Sequence, residues 1–158
     1  MQIRPANLAD VTSMMLLDRQ SATAAHWTED QYRQALQPGS TPRLVLVIDE
    51  SSPTAPTPEA GTGILGFLIA QHISPEWELE NIVVAANARR KGLGKRLLQH
   101  LLSAAHEINS ASVFLEVRES NTAARALYEK AGFAQIGRRK IYYTNPPEDA
   151  VLYRRNLP

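Results

Sequence analysis

The feature that most constrains the fold is a strand, helix, strand succession in the second half of the chain. Ile82, Val83 and Val84 form an apolar, β-branched run suited to a buried strand. From residue 93 onward Leu93, Leu97 and Leu101, then Leu98, Leu102 and Ala105, recur at helical spacing. After Asn109 and Ser110 close that helix, residues 112–117 (Ser-Val-Phe-Leu-Glu-Val) read as a second compact strand. Such a succession requires parallel neighbours joined by a right-handed crossover. The junction between the first strand and the helix reads Arg89-Arg90-Lys91-Gly92-Leu93-Gly94, followed by Lys95. Its glycines let the backbone approach a ligand closely, and the free N–H groups of the helix's first turn can face an anion together with the helix dipole. Two readings fit this hexapeptide taken alone: an anion cradle, or a solvated turn whose glycines allow tight packing. It lacks the third glycine of the dinucleotide fingerprint, and no Gly-Lys-Ser/Thr follows as in a P-loop.

With 158 residues the chain fits one domain, 1–158, long enough to bury a real core. Its 44% hydrophobic and 21% charged residues are ordinary globular composition. The net charge is +1, and the basic residues gather at Arg89, Arg90, Lys91, Lys95 and Arg96, which suits a small anionic ligand better than a nucleic acid. The absence of cysteine removes disulfides, thiol nucleophiles and thiolate metal sites, in keeping with a reducing compartment. His26, His72, His100 and His106 show no metal-ligand spacing, so no metal is expected. No apolar leader follows Met1, and the longest apolar run, residues 64–70, is too short to span a bilayer. The expectation is a soluble cytoplasmic protein without a membrane partner, a monomer or weak dimer.

The remaining elements follow from local signals. Ile3 opens a short strand stopped by Pro5, and Asn7 caps a helix whose Leu8, Val11, Met14 and Met15 share a face. Thr28 and Gln31 form a capping box, with Trp27 and Tyr32 at the two positions of a hydrophobic staple. Trp27 either only staples that helix or also contacts a substrate. Strands are expected at 43–49, 64–72 and 76–84, and residues 50–63, with Pro53, Pro56 and Pro58, read as a surface loop. In the third of these strands Trp77, Leu79 and Asn81 alternate against Glu78 and Glu80 before the run turns wholly apolar, as if passing from a half-exposed to a buried setting. A helix at 122–131 ends at Gly132, where a left-handed cap is wanted, and two strands, 134–143 and 150–157, flank a turn around Asn145-Pro146-Pro147. The result is a mixed-sheet α/β domain whose ligand site lies at the carboxyl ends of strands, by the Arg89 turn.

Glu116 does not fit its apolar strand, which this reading covers on both faces. Either it pairs with Arg118 or another cation, or it opens into a wet cavity where a carboxylate can serve as a general base. Downstream, Asn121, Ala124, Leu127, Tyr128, Gly132 and Phe133 make up Asn-x-x-Ala-x-x-Leu-Tyr-x-x-x-Gly-Phe. Arg89-x-x-Gly92-x-Gly94 followed by this second motif, in this element order, resembles the GNAT superfamily of acetyl-coenzyme A-dependent N-acetyltransferases over essentially the whole chain. Leu79-x-Asn81-Ile82-x-Val84, Leu115-Glu116-Val117-Arg118, Ser120-Asn121, residues 139–143 (Arg-Lys-Ile-Tyr-Tyr) and Glu148-Asp149-Ala150 look like its RimI branch, protein N-terminal acetyltransferases acting on ribosomal protein alanine.

The resemblance implies a central mixed sheet of about seven strands with four helices, and acetyl-coenzyme A as the cosubstrate. Its pyrophosphate would meet main-chain N–H groups of Arg89, Arg90, Lys91, Gly92, Leu93, Gly94 and Lys95. Its pantetheine arm would lie along Ile82, Val83 and Val84, with Asn121 on the other side. Glu116 would be the general base for a substrate α-amine, directly or through a water, and Tyr128 the acid for the departing thiolate. The last hairpin would wall the groove with Tyr142 and Tyr143, although tyrosines in a strand are as often packing residues. The implied partner is a protein or peptide N-terminus, that of a ribosomal protein. A small-molecule amine acetyltransferase and a non-catalytic acyl-coenzyme A sensor are the alternatives.

Overall fold

The computed structural model describes residues 1–39, 41–50 and 63–158. Apart from Glu50 and Gly63, the proline-rich stretch lies outside the described residues. The elements in chain order are β1 (Gln2–Pro5), α1 (Val11–Gln20), α2 (Glu29–Leu36), β2 (Arg43–Asp49), β3 (Ile64–Ile73), β4 (Glu76–Val84), α3 (Leu93–Glu107), β5 (Ser112–Arg118), α4 (Thr122–Lys130), β6 (Ala134–Thr144) and β7 (Pro147–Asn156). The seven strands form one sheet in the order β1-β2-β3-β4-β5-β7-β6. Only β4 and β5 pair in parallel, across the α3 crossover; every other neighbour is antiparallel. The mixed sheet with four α-helices is the architecture expected from the sequence.

Side-chain alternation sorts two cores onto the two faces. Leu46, Ile48, Leu68, Leu79, Leu115 and Val117 pack under α3 and α4, together with Leu97, Leu98, Leu101 and Tyr128. Val45, Val47, Phe67, Ile69 and Val83 pack under α1 and α2, against Met14, Leu17 and Tyr32. Local signals set the helix ends. Asn7 caps a short 3-10 turn, Leu8–Asp10, that leads into α1, and Thr28 and Gln31 close a reciprocal capping box on α2. Trp27 packs at a tilt against Tyr32 with ring centroids 5.5 Å apart, completing the staple. Gly132 holds φ at +88° after α4, the left-handed conformation a helix terminus favours.

Strand β4 departs from the sequence expectation. It does not pass into a stretch buried on both faces: Ile82 and Val84 stay half-buried. The register against β3 slips by one residue, Ile69 facing Asn81 while Ala70 faces Leu79, so Glu80 is the extra residue of a bulge. The slip exchanges the faces. Trp77 and Leu79 belong to the core under α3, whereas Asn81 and Val83 turn toward the α1 and α2 side, and Ile82 and Val84 contact the α3 side. The strand's alternation is therefore broken by one backbone residue and not by a change of environment.

Gly66 permits a close approach of β3 to this part of β4: a Cβ there would sit 2.8 Å from the Val83 carbonyl oxygen. Gly66→Ala should therefore destabilise the protein by about 2 kcal/mol through forced separation of the strands. Urea unfolding measures this, and a midpoint equal to wild type would contradict the packing described.

Candidate active site

The site is built from a pairing that stops. Strands β4 and β5 are in register from Glu76 opposite Ser112 to Leu79 opposite Leu115, and go no further. Past that point β4 continues to Val84 on β3, and β5 continues to Arg118 on β7, so the two diverge. The bulge at Glu80 sits where they part. A cavity of about 120 Å³ opens in the gap, lined on the β4 side by Leu79, Glu80, Asn81 and Ile82 and on the β5 side by Glu116, Val117 and Arg118. Thr23, Ala24 and Ala25 of the loop between α1 and α2, with Asn121, Ala124, Tyr128 and Tyr143, complete its wall.

The gap joins the two faces of the sheet. On β5, Val113, Leu115 and Val117 face the α3 core, so Glu116 points to the opposite face, whereas Tyr128 belongs to the α3 core itself. The expectation that this strand is covered on both faces does not hold: α1 and α2 cover the β2, β3 and β4 side, and the Glu116 side chain remains 18% exposed. Its cation is Arg139 of β6, with Nε 3.0 Å from Glu116 Oε1, and not Arg118, which pairs with Glu148 at 3.3 Å. Both alternatives raised by the sequence are thus met together, since Glu116 has an ion pair and also lines the cavity.

Tyr128 is 5% exposed and packs against Phe133 and Tyr153. Burial, and to a lesser degree the charge of Tyr143, pushes its hydroxyl pKa upward, so it keeps its proton through neutral and alkaline pH. Its helix is tied to β7 by Tyr153, which donates to Glu129 at 2.8 Å and accepts from Arg125 Nε at 3.0 Å. Asn121 begins that helix, its Oδ1 accepting the Ala124 N–H at 3.3 Å. Tyr143 lies under the Arg118 guanidinium, 4.1 Å from its ring centroid, and its pKa is pushed up to about 12, chiefly by burial and then by the Glu116 charge. Tyr142 is more exposed; the Glu116 charge, then burial and a hydrogen bond to Glu116, raise its pKa.

The glycine turn stands at the open end of β4. Residues Ala86–Ala88 form a short 3-10 turn, Arg90 and Gly92 hold φ at +63° and +75°, and Gly92 is the N-cap of α3 without a side chain to satisfy the first-turn N–H groups. Arg89 Nε donates to the Val84 carbonyl at 3.3 Å, and a Cβ on Gly94 would meet Leu127 of α4 at 3.3 Å. The turn, the free flank of Asn81, Ile82, Val83 and Val84, and the cavity therefore follow one another. Uncapped helix donors, then a strand edge no longer paired with β5, then a cavity fit an elongated molecule with a phosphate end and an amide-bearing arm. Among the described residues no group of three histidine or carboxylate side chains is gathered as a metal site, and no helix is long and apolar enough to cross a membrane.

A family model, the acetyltransferase (GNAT) family, matches residues 15–133. The chain belongs to the GNAT family. Its similarity to the [ribosomal protein bS18]-alanine N-acetyltransferase of Escherichia coli K12 is 43% identity over 88 residues, 54% of this chain and 60% of that enzyme, so the chain matches less than two thirds of that relative's length in sequence. The crystal structure of the ribosomal-protein-S18-alanine N-acetyltransferase from Escherichia coli superposes with a TM-score of 0.77 and 28% identity, covering 98% of this chain and 92% of that one. Ard1 from Thermoplasma volcanium gives 0.81 at 25% identity, over 99% and 97%. The GNAT fold is thus shared over nearly the whole chain.

Of the residues singled out in the sequence, the structure gathers Glu116, Tyr128, Asn121 and Ile82 on one cavity and sets the glycine turn beside it. It does not bring Trp27 there: Trp27 packs on Tyr32, while its neighbours Thr23, Ala24 and Ala25 line the wall. Sequence reasoning also missed Glu78, half-buried, whose pKa is raised first by burial and then by Glu80 and Glu116. The alternation of Glu78 with Glu80 was a visible signal, but its proximity to Glu116 depends on the parallel register.

The Glu116 pair joins a carboxylate to an arginine side chain that is 56% exposed. Arg139→Ala should therefore lower stability by no more than about 0.5 kcal/mol. A loss above roughly 2 kcal/mol in thermal unfolding would contradict the picture of a screened, mouth-level pair.

Proposed function

We propose that the chain is an acetyl-coenzyme A-dependent N-acetyltransferase that modifies the free α-amine of a protein N-terminus, that of a ribosomal protein in particular. The observation that carries the reading is the gap between β4 and β5, with Glu116 directed to one face of the sheet and Tyr128 packed on the other. The identity with the bS18-alanine acetyltransferase supports the substrate class.

When bound, acetyl-coenzyme A supplies an activated acetyl thioester. The first-turn N–H groups of α3 and the residues Arg89, Arg90, Lys91, Gly92, Leu93, Gly94 and Lys95 would hold its pyrophosphate, and Ile82, Val83 and Val84 would carry the arm along their free flank, with Asn121 opposite. Glu116 takes a proton from the substrate ammonium, directly or through a water; an α-amine with a pKa near ~8 needs only modest help. A backbone N–H of β4 polarises the carbonyl under attack. Tyr128 gives its proton to the departing thiolate, and its buried position keeps that proton available. Glu78 stands beside Glu80 and Glu116, with Arg43, Arg118 and Arg139 as the neighbouring cations. Tyr142 and Tyr143 line the approach from the last hairpin.

Thiol release measured over peptides that differ only in their first residues, with free lysine and small amines as controls, tests this reading. Turnover on a subset of N-termini supports it. Release only with small amines would favour a small-molecule acetyltransferase, and binding without release under any amine would favour a sensor. Glu116→Gln and Tyr128→Phe should each lower kcat by roughly 100-fold or more with little change in coenzyme affinity. Because burial holds the Tyr128 pKa above that of an ordinary phenol, kcat should show no alkaline fall up to about pH 9.5. An alkaline fall below about pH 9 that disappears in Tyr128→Phe would contradict the raised pKa of Tyr128, and a kcat close to wild type in that variant would contradict the assigned proton donor.

A further inference from the structure

Asp18 in α1 is only 1% exposed and has no part in the chemistry above. Its carboxylate accepts the His26 N–H on Oδ1 and the Trp27 N–H on Oδ2, each at 2.9 Å, and also the Tyr32 hydroxyl proton on Oδ2. The Tyr32 oxygen in turn accepts from Asn81 Nδ2 at 3.3 Å, and Tyr32 and Asn81 are 0% and 6% exposed. A buried carboxylate is costly unless donors satisfy it. Here the backbone bends to provide them: His26 holds φ at +55°, a conformation unfavourable for a residue other than glycine, and two successive N–H groups converge on one side chain.

The two ends of this chain of hydrogen bonds explain where it lies. One end is the loop from Ser21 to Thr28, whose Thr23, Ala24 and Ala25 line the cavity. The other is Asn81, the first residue beyond the bulge, on the opposite wall. Apolar packing alone would leave the distance between these walls to side-chain size. A hydrogen-bonded chain fixes it by geometry, because each link tolerates little change in length or angle.

We infer that Asp18, Tyr32 and Asn81 position the loop between α1 and α2 against the bulged strand, and that this spacing determines affinity for the amine-bearing substrate. The inference rests on the acetyl-transfer reading above. Tyr32 acts through its two partners, as a positioning residue. The chain lies on the face to which Glu116 points, so it shapes the acceptor's side of the gap and leaves the glycine turn untouched.

Tyr32→Phe removes the hydroxyl and keeps the ring's contacts with Trp27 and Phe67 at 5.5 and 5.9 Å. The acceptor-peptide KM should rise roughly tenfold or more, as expected for loss of the buried hydrogen bonds to Asp18 and from Asn81, while the acetyl-coenzyme A KM moves less than about twofold. Amide hydrogen exchange at His26 and Trp27 should accelerate in the same variant. Ser110→Ala serves as the matched control: it deletes a buried hydrogen bond, donated by the Trp77 indole at 3.0 Å, near the far end of β4. The inference is overturned if Tyr32→Phe leaves either the acceptor KM or the His26 and Trp27 exchange unchanged, or if Ser110→Ala raises the acceptor KM as much at equal loss of stability. Should the wild-type protein acetylate no peptide, the proposed function fails, while the exchange rates still decide whether the loop is held this way.

Discussion

The structure depends on where β4 and β5 cease to pair. Parallel strands gain stability from each shared hydrogen bond, and leaving strand edges unpaired inside a sheet carries a cost. Here the ladder ends at Leu79 and Leu115 although both strands continue, each held by its other neighbour. The extra residue at Glu80 bends β4 away and exchanges its faces, so one backbone irregularity lies where the gap opens and turns Asn81 toward Tyr32 on the α1 and α2 side. The α3 crossover then places an uncapped helix N-terminus at the open end of the same strand.

Because the gap passes through the sheet, the two groups proposed for proton transfer sit in different environments. Glu116 is partly exposed and paired with Arg139 at the mouth. Tyr128 lies in the apolar core, where burial keeps a phenol protonated. Each setting suits the proton transfer proposed for that residue, and the two are separated by the sheet itself. The hydrogen bonds around Tyr153 and the Glu148 contacts to Arg118 and Ser120 hold the surrounding segments, so the site rests on buried and half-buried polar links as well as on apolar packing.

Much of this was legible in the residues. The Leu93, Leu97 and Leu101 periodicity, the Thr28 and Gln31 box and the glycines at 92 and 132 act locally, through neighbours a few residues away, and the elements they predict are present. What sequence reading missed depends on partners distant in the chain. The bulge at Glu80 is a property of the pairing between β3 and β4, and nothing in Glu78, Leu79, Glu80 and Asn81 taken alone distinguishes it from regular alternation. The cation beside Glu116 comes from β6, whose place in the sheet follows from a hairpin formed later in the chain. Trp27 was visible as a staple, but that its neighbours and not its own ring line the cavity follows from the left-handed turn at His26.

In the proposed reaction the gap between β4 and β5, together with the glycine turn, receives acetyl-coenzyme A. Backbone amide shifts followed by NMR while acetyl-coenzyme A is titrated into the protein test it most directly. The largest changes should fall on Asn81, Ile82, Val84 and the first turn of α3 at Gly92, Leu93, Gly94 and Lys95, with the Trp77 indole unmoved at the far end of the strand. Shifts centred instead on the groove that Leu98, Leu102 and Lys130 form between α3 and α4, or no shifts at all, would contradict it.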